Sequence, residues 1–178
     1  MLLATRQLQI RFLHEKDVPA LVALWTDPDV TRYMGGPRDE EMLRAGLAKD
    51  AQWTDEAPLG LLPVVEVVSG AVVGHCGLIP KDVDGRSETE LIYVLARAVW
   101  GKGYATEAAQ AVMEYAFEAL VLARLVALID PANGASARVA EKIGMQHAGD
   151  TVRPSGKVLR VYARDARRGD RALHRVER

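Results

Sequence analysis

The sequence predicts an α+β domain: a mixed, mostly antiparallel central sheet flanked by helices, in the order β-α-α-β-β-β-α-β-α-β-β. Three observations lead there. The chain has 178 residues, which suits one domain around one core. Strand-like runs rich in β-branched residues crowd the stretch from Leu61 to Leu95, broken by glycine-containing turns. Segments with helical spacing lie on both sides of that block.

Taken in order, Leu8, Ile10 and Phe12 alternate with Gln7, Gln9 and Arg11, the pattern of a half-buried strand. Val18, Leu21, Val22 and Trp25 recur at helical spacing, and Asp27-Pro28 closes that helix. Tyr33-Met34-Gly35-Gly36-Pro37 reads as a loop. A charged helix follows from about Arg38 to Lys49, with Met42, Leu43 and Leu47 turned inward. Leu62 to Val68 and Ala71 to Ile79 read as two β-runs around Ser69-Gly70. A second turn over Pro80 to Gly85 and a strand from Glu88 to Leu95 complete an antiparallel meander. Ala105, Ala108, Ala109, Val112, Met113, Ala116, Phe117 and Leu120 then fall at i, i+3, i+4, i+7, the strongest helix in the chain. Leu125 to Ile129 is a short buried strand ended by Asp130-Pro131. Asn133 caps a further helix that reaches Ile143 and stops at Gly144. Two last β-runs, about Met145 to Thr151 and Lys157 to Arg164, complete a domain over 1–164. Residues 165–178, rich in arginine, are expected to form a charged, mobile tail.

Composition narrows the function classes. Hydrophobic residues make up 49% and charged residues 26%, ordinary globular usage that argues against a disordered chain. Lys and Arg number 23 against 24 Asp and Glu, so no global field recruits DNA or an anionic membrane. Cys76 is the only cysteine, which excludes an internal disulfide and a Cys-based zinc site, and no metal is expected. Its flanks read as strand, so packing explains it better than nucleophilic chemistry. The first residues lack the apolar core of a signal peptide, and no apolar run approaches the ~20 residues of a membrane span. A cytoplasmic protein is expected.

The informative segment is Tyr93-Val94-Leu95-Ala96-Arg97-Ala98-Val99-Trp100-Gly101-Lys102-Gly103-Tyr104-Ala105-Thr106-Glu107-Ala108. A strand ends, a glycine turn follows and the long helix begins. Backbone N–H groups in such a turn point into one concavity, and the helix dipole favours negative charge there. Glycine lets a phosphate approach the backbone. A Walker A loop would need Ser or Thr after Gly-Lys, which is absent. A dinucleotide fingerprint would need a small residue where Thr106 stands. Pyrophosphate is the ligand group this turn suits best; a glycine turn without a ligand and an unrelated nucleotide-binding domain are the competing readings.

Trp100-Gly101-Lys102-Gly103-Tyr104-Ala105-Thr106-Glu107-Ala108 resembles motif A of the GNAT acetyltransferases, in the form found in their Rim-type branch of ribosomal-protein N-terminal acetyltransferases. Thr5-Arg6-Gln7-Leu8-Gln9-Ile10-Arg11 is similar to that branch's opening strand, with Gln7 inserted. Asp27-Pro28-Asp29-Val30 resembles its usual end of the first helix, and Asn133 to Met145 its motif B. The resemblance runs from about residue 5 to 164 and implies a GNAT-like domain that uses acetyl-CoA as acyl donor. Where Trp100 stands the wider family often has Arg or Gln, and where Ile92 stands relatives often have glycine.

The resemblance implies residue roles. Gly101, Lys102, Gly103, Tyr104, Ala105 and Thr106 would hold the pyrophosphate, with Trp100 at the turn's edge. Val94 and Leu95 would pair with the pantetheine arm like a strand, and Asn133 would reach its other side. Lys102, Arg138 and Lys142 are candidates for the phosphates. Ser136 would donate a proton to the leaving sulfur. An attacking ammonium must first lose a proton. Candidate bases are Glu88, Glu90 and His75; a turn symmetrical about positions 82 and 83 would set His75 opposite Glu90. The acceptor side would draw on Trp25, Tyr33, Gly35, Ile92 and a helix containing Trp53. The implied acceptor is a peptide or protein N-terminal amine, a ribosomal protein among them, with a small-molecule amine or a CoA-binding module without turnover as alternatives. A monomer or a homodimer fits equally.

Overall fold

The computed structural model describes residues 2–52 and 59–167. It contains one eight-stranded sheet. The strands are β1 (Leu2–Ala4), β2 (Leu8–Arg11), β3 (Gly60–Glu66), β4 (Val72–Val83), β5 (Arg86–Leu95), β6 (Arg124–Ile129), β7 (Gln146–Val152) and β8 (Val158–Asp165), and their spatial order is β1-β2-β3-β4-β5-β6-β8-β7. All neighbours are antiparallel except β5 and β6, which are parallel and paired only at Glu90 and Val126. Helices α1 (Val18–Thr26), α2 (Pro28–Thr31) and α3 (Glu40–Asp50) cover one face; α4 (Tyr104–Glu118) and α5 (Gly134–Lys142) cover the other. The expected mixed, mostly antiparallel α+β architecture is the observed one.

The larger core lies under α4. Ala108, Ala109, Val112, Met113, Ala116 and Phe117 are buried against Leu8, Ile10, Leu78, Leu91 and Leu125 of the sheet. Three small alanines let the helix backbone sit close to the strands, so the stripe read from the spacing is the packed face. A second cluster joins Leu21, Val22, Leu24 and Trp25 of α1 to Leu47 and Val94.

The β4–β5 hairpin departs from expectation. The strand does not end before Pro80 but runs on to Val83, and the chain reverses at Asp84-Gly85, with φ of 52° and 78°. Val83 pairs with Arg86, so His75 lies opposite Val94, and Glu90 opposite Ile79. The expected cross-strand pair of His75 with Glu90 is therefore wrong. The two are four residues out of register, about 13 Å along the strands. Pro80 is tolerated because β3 pairs with β4 no further than Gly60 with Leu78, so among the described residues the missing N–H faces no strand. Two short features escaped the sequence reading: strand β1 and the single turn α2, whose cap Asp27 accepts from the Asp29 and Val30 N–H groups.

The expected helix around Trp53 lies outside the described residues, as do 168–178 of the expected tail. Asp165, assigned to the tail, closes β8 and bonds to Arg124 at 3.0 Å.

Candidate active site

β5 and β6 diverge beyond their one shared pair, and the gap between them is a cleft of about 490 Å³. Its upper end is the glycine turn. Gly101 and Gly103 have φ of 80° and 85°, and Gly103 is the N-cap of the 15-residue helix α4. A Cβ at either glycine would meet nothing within 4 Å, so the glycines are required by backbone conformation rather than by crowding. The first-turn N–H groups of α4 are left without intrahelical partners and line the cleft at Tyr104, Ala105 and Thr106. Arg138 and Lys142, one turn apart on α5, line the same cleft. Backbone donors, a helix start and two cations make an anion site that fits the phosphates of a CoA ligand. Lys102 does not line the cleft; it lies 3.8 Å from Glu66 and over the Tyr104 ring.

Alternation along β5 decides what the strand offers. Ala96 N–H donates to Val73 C=O, so the backbone of Val94 turns toward β4 and that of Tyr93 and Leu95 toward the cleft. Leu95 supplies the expected backbone edge; Val94 presents its side chain instead. The Leu95 carbonyl already accepts from Trp100 Nε1–H at 2.8 Å. That contact gives Trp100 a role the sequence did not suggest.

The lower end holds Glu90, only 7% exposed and lining the cleft. Burial pushes its pKa up, opposed by Lys81, whose Nζ lies 3.6 Å away, and by the Leu128 N–H. A carboxyl moved toward neutrality is suited to exchange protons with an amine. Glu88 is taken up by Arg124 at 3.4 Å and stays outside the cleft. So does His75, whose Nδ1 accepts from Trp25 Nε1–H at 3.1 Å. Burial lowers the His75 pKa to about 4, with the Leu61 carbonyl opposing, so the ring is a neutral core group. Trp25 is its partner in that core, and neither Trp25 nor Gly35 lines the cleft, whereas Tyr33 and Ile92 do. Cys76 is fully buried, and burial raises its thiol pKa, which leaves it inert.

Asn133 caps α5 through the Ser136 N–H at 3.1 Å, and both residues line the cleft. Tyr93 was missed. Its hydroxyl donates to the Ser136 carbonyl at 2.9 Å and accepts from Ser136 Oγ at 3.1 Å. A tyrosine within a β-run carries no local sign of such a role; only the fold brings α5 against β5.

Residues 7–146 match the family profile described as an acetyltransferase (GNAT) domain. The chain belongs to the GNAT acetyltransferase family. It is 36% identical to YkkB of Bacillus subtilis over 163 residues, covering 91% of this chain and 94% of that protein. It is 29% identical to the uncharacterized N-acetyltransferase p20 of Bacillus licheniformis, covering 90% and 92%. A GNAT-family acetyltransferase from Bacillus anthracis superposes with a TM-score of 0.79 at 30% identity, over 93% of this chain and 98% of that one. RimL, a ribosomal alpha-N-protein acetyltransferase, superposes at 0.75 with 17% identity, covering 93% and 98%. The aminoglycoside acetyltransferase AAC(6')-Ib superposes at 0.72 with 16% identity, covering 92% and 96%. These last two share the fold, and the Rim-type branch is not singled out among GNAT members. Among the described residues no group of three His, Cys, Asp or Glu is placed to hold a metal, and no helix is long and apolar enough to cross a membrane.

Proposed function

We propose that this protein transfers the acetyl group of acetyl-CoA to a primary amine by direct attack. One observation carries the reading: a single cleft joins the left-handed glycine turn at one end to the buried Glu90 carboxyl at the other. Acetyl-CoA supplies the thioester; the rest falls to residues of this chain. The α4 start, with Arg138 and Lys142, binds the phosphates. The free N–H groups of Tyr93 and Leu95 extend the sheet by hydrogen bonding an extended amide chain, and either can steady a developing oxyanion. Glu90 takes the proton from the amine. Ser136, whose hydroxyl donates to Tyr93 in the free protein, turns that proton to the leaving sulfur, a modest demand because a thiol has a pKa near 8.5.

The acceptor can be a peptide or protein N-terminal amine, as the Rim-type resemblance implies. A small-molecule amine is favoured by Lys157, an ammonium held between Asp130 and Tyr33, two residues of the cleft lining. The test is thiol release from acetyl-CoA across a panel of peptides, diamines and aminoglycosides, with thermal unfolding in parallel. Acetyl-CoA is expected to raise Tm for the wild type and for Glu90→Gln alike. Release is expected to fall about 100-fold or more in Glu90→Gln. A raised Tm with no release for any amine would instead make this a CoA-binding module without turnover.

A further inference from the structure

Two residues that line the cleft are bridged by a side chain that does not line it. Lys157 stands at the end of the turn between β7 and β8. Its Nζ lies 2.9 Å from Asp130 Oδ2 and 2.9 Å from the Tyr33 carbonyl, and both of those residues line the cleft. Asp130 follows β6, and the alternation of that strand sets it on the same face as Val126 and Leu128. Val126 is the residue paired with Glu90, so Asp130 and Glu90 look out on one face of the cleft, the one turned away from α4 and α5.

Two oxygens, one of them charged, thus converge on one ammonium. Lys157 keeps the Asp130 carboxyl below the usual carboxylate range, with burial opposing and the Ala132 N–H assisting. The hairpin that carries Lys157 does not depend on this contact. Thr151 Oγ1 donates to Asp84 at 2.8 Å, and Arg153 donates to the Asp82 carbonyl at 2.9 Å, tying the hairpin to the β4–β5 turn. The Lys157 side chain is 38% exposed, so the ion pair is partly screened and exchanging it costs little.

We propose that Asp130 and the Tyr33 carbonyl form an ammonium subsite for the acceptor, occupied in the free protein by Lys157 and yielded to the second cation of a diamine or polyamine. The distance sets the length. The Glu90 carboxyl reaches the Leu128 N–H, and Asp130 lies two residues beyond Leu128, a rise of about 7 Å. An acceptor whose reacting amine sits near the Glu90 carboxyl therefore needs a chain of about five carbons to place its other ammonium at Asp130. Which amine reacts rests on the acetyl-transfer reading; binding at the subsite does not.

The test compares 1,5-diaminopentane with 5-amino-1-pentanol, a pair of similar length with two cations and one. Each is titrated calorimetrically into the protein with CoA present, and thiol release from acetyl-CoA is followed separately. The wild type is expected to bind the diamine about tenfold more tightly. Asp130→Asn is expected to erase that preference. Lys157→Met, which keeps the stem and removes the competing ammonium, is expected to strengthen diamine binding by up to about fivefold. Thermal unfolding checks that both variants fold, and the wild-type comparison stands without them. Equal binding of the two probes, a preference that survives in Asp130→Asn, or weaker diamine binding in Lys157→Met would overturn the subsite. A preference for the diamine with no thiol release from any amine would leave the subsite standing and remove the acetyl-transfer reading.

Discussion

Tyr93 spends both hydrogen-bonding capacities of its hydroxyl on Ser136, donating to the carbonyl and accepting from Oγ. Burial pushes its pKa up to about 12, with the Ser136 hydrogen bond opposing, so the phenol stays protonated at any working pH. Its proton is already given to the Ser136 carbonyl. Tyr93 is therefore better placed to hold the Ser136 hydroxyl in position. Tyr93→Phe is expected to lower kcat about tenfold with little change in the KM for acetyl-CoA. In a Ser136→Ala background the same substitution should cost nothing further, and an additive loss would give Tyr93 a separate task. His75 illustrates the opposite fate of a polar side chain. Its folded pKa of about 4 lies below the 6.5 of an unfolded histidine, so above pH 6.5 it contributes nothing pH-dependent. As pH falls from 6.5 toward 4 the unfolded chain binds a proton that the native state refuses, and stability drops by about 3 kcal/mol. Urea unfolding at pH 7 and at pH 4 should therefore show a larger loss for the wild type than for His75→Gln. Equal losses would mean that the ring is protonated in the folded protein.

At the scale of elements, what the sequence disclosed depended on how local the cause was. The α4 stripe and the glycine turn before it were legible because helical spacing and the need for positive φ are written into consecutive residues. The β4–β5 reversal is expected over Pro80 to Gly85, centred on 82 and 83, whereas Asp84-Gly85 makes it, and Asp-Gly is the stronger two-residue hairpin signal. The error moved every pair by four places and joined His75 to Glu90 on paper. Glu107 marks a different limit. It belongs to the segment that carried the family resemblance, yet its carboxylate accepts from Thr5 Oγ1 and from both the backbone and side chain of Gln7, about 100 positions away. Burial works against that charge, and the Thr5 and Gln7 bonds outweigh it, holding the pKa low. The inserted Gln7 thus ties β2 to α4. Gly77 is likewise explained only by a neighbour: a Cβ there would lie 1.9 Å from the Gly60 carbonyl, where β3 and β4 meet. None of these contacts has a periodicity to read.

The whole molecule is two antiparallel blocks, β1 to β5 and β6 to β8, joined in the sheet by one parallel pair. Such a sheet has an internal edge, and an unpaired edge leaves backbone donors open to water. Here the edge lies inside the cleft, where Tyr93 and Leu95 direct their backbone groups and Trp100 covers one carbonyl. A ligand arm that bonds along β5 would bridge the two blocks and raise the cost of opening either. Amide hydrogen exchange separates this from simple docking at the glycine turn. In the free protein Tyr93 and Leu95 amides are expected to exchange well ahead of Ile92 and Val94, whose N–H groups face β4. With acetyl-CoA bound, Tyr93 and Leu95 should slow to match them, and the β6–β8 amides should slow as well because the blocks are now linked. Protection confined to Gly101 through Thr106 would place the phosphates correctly while denying that the splayed strands hold the rest of the donor. The sheet would then gain nothing from its open seam.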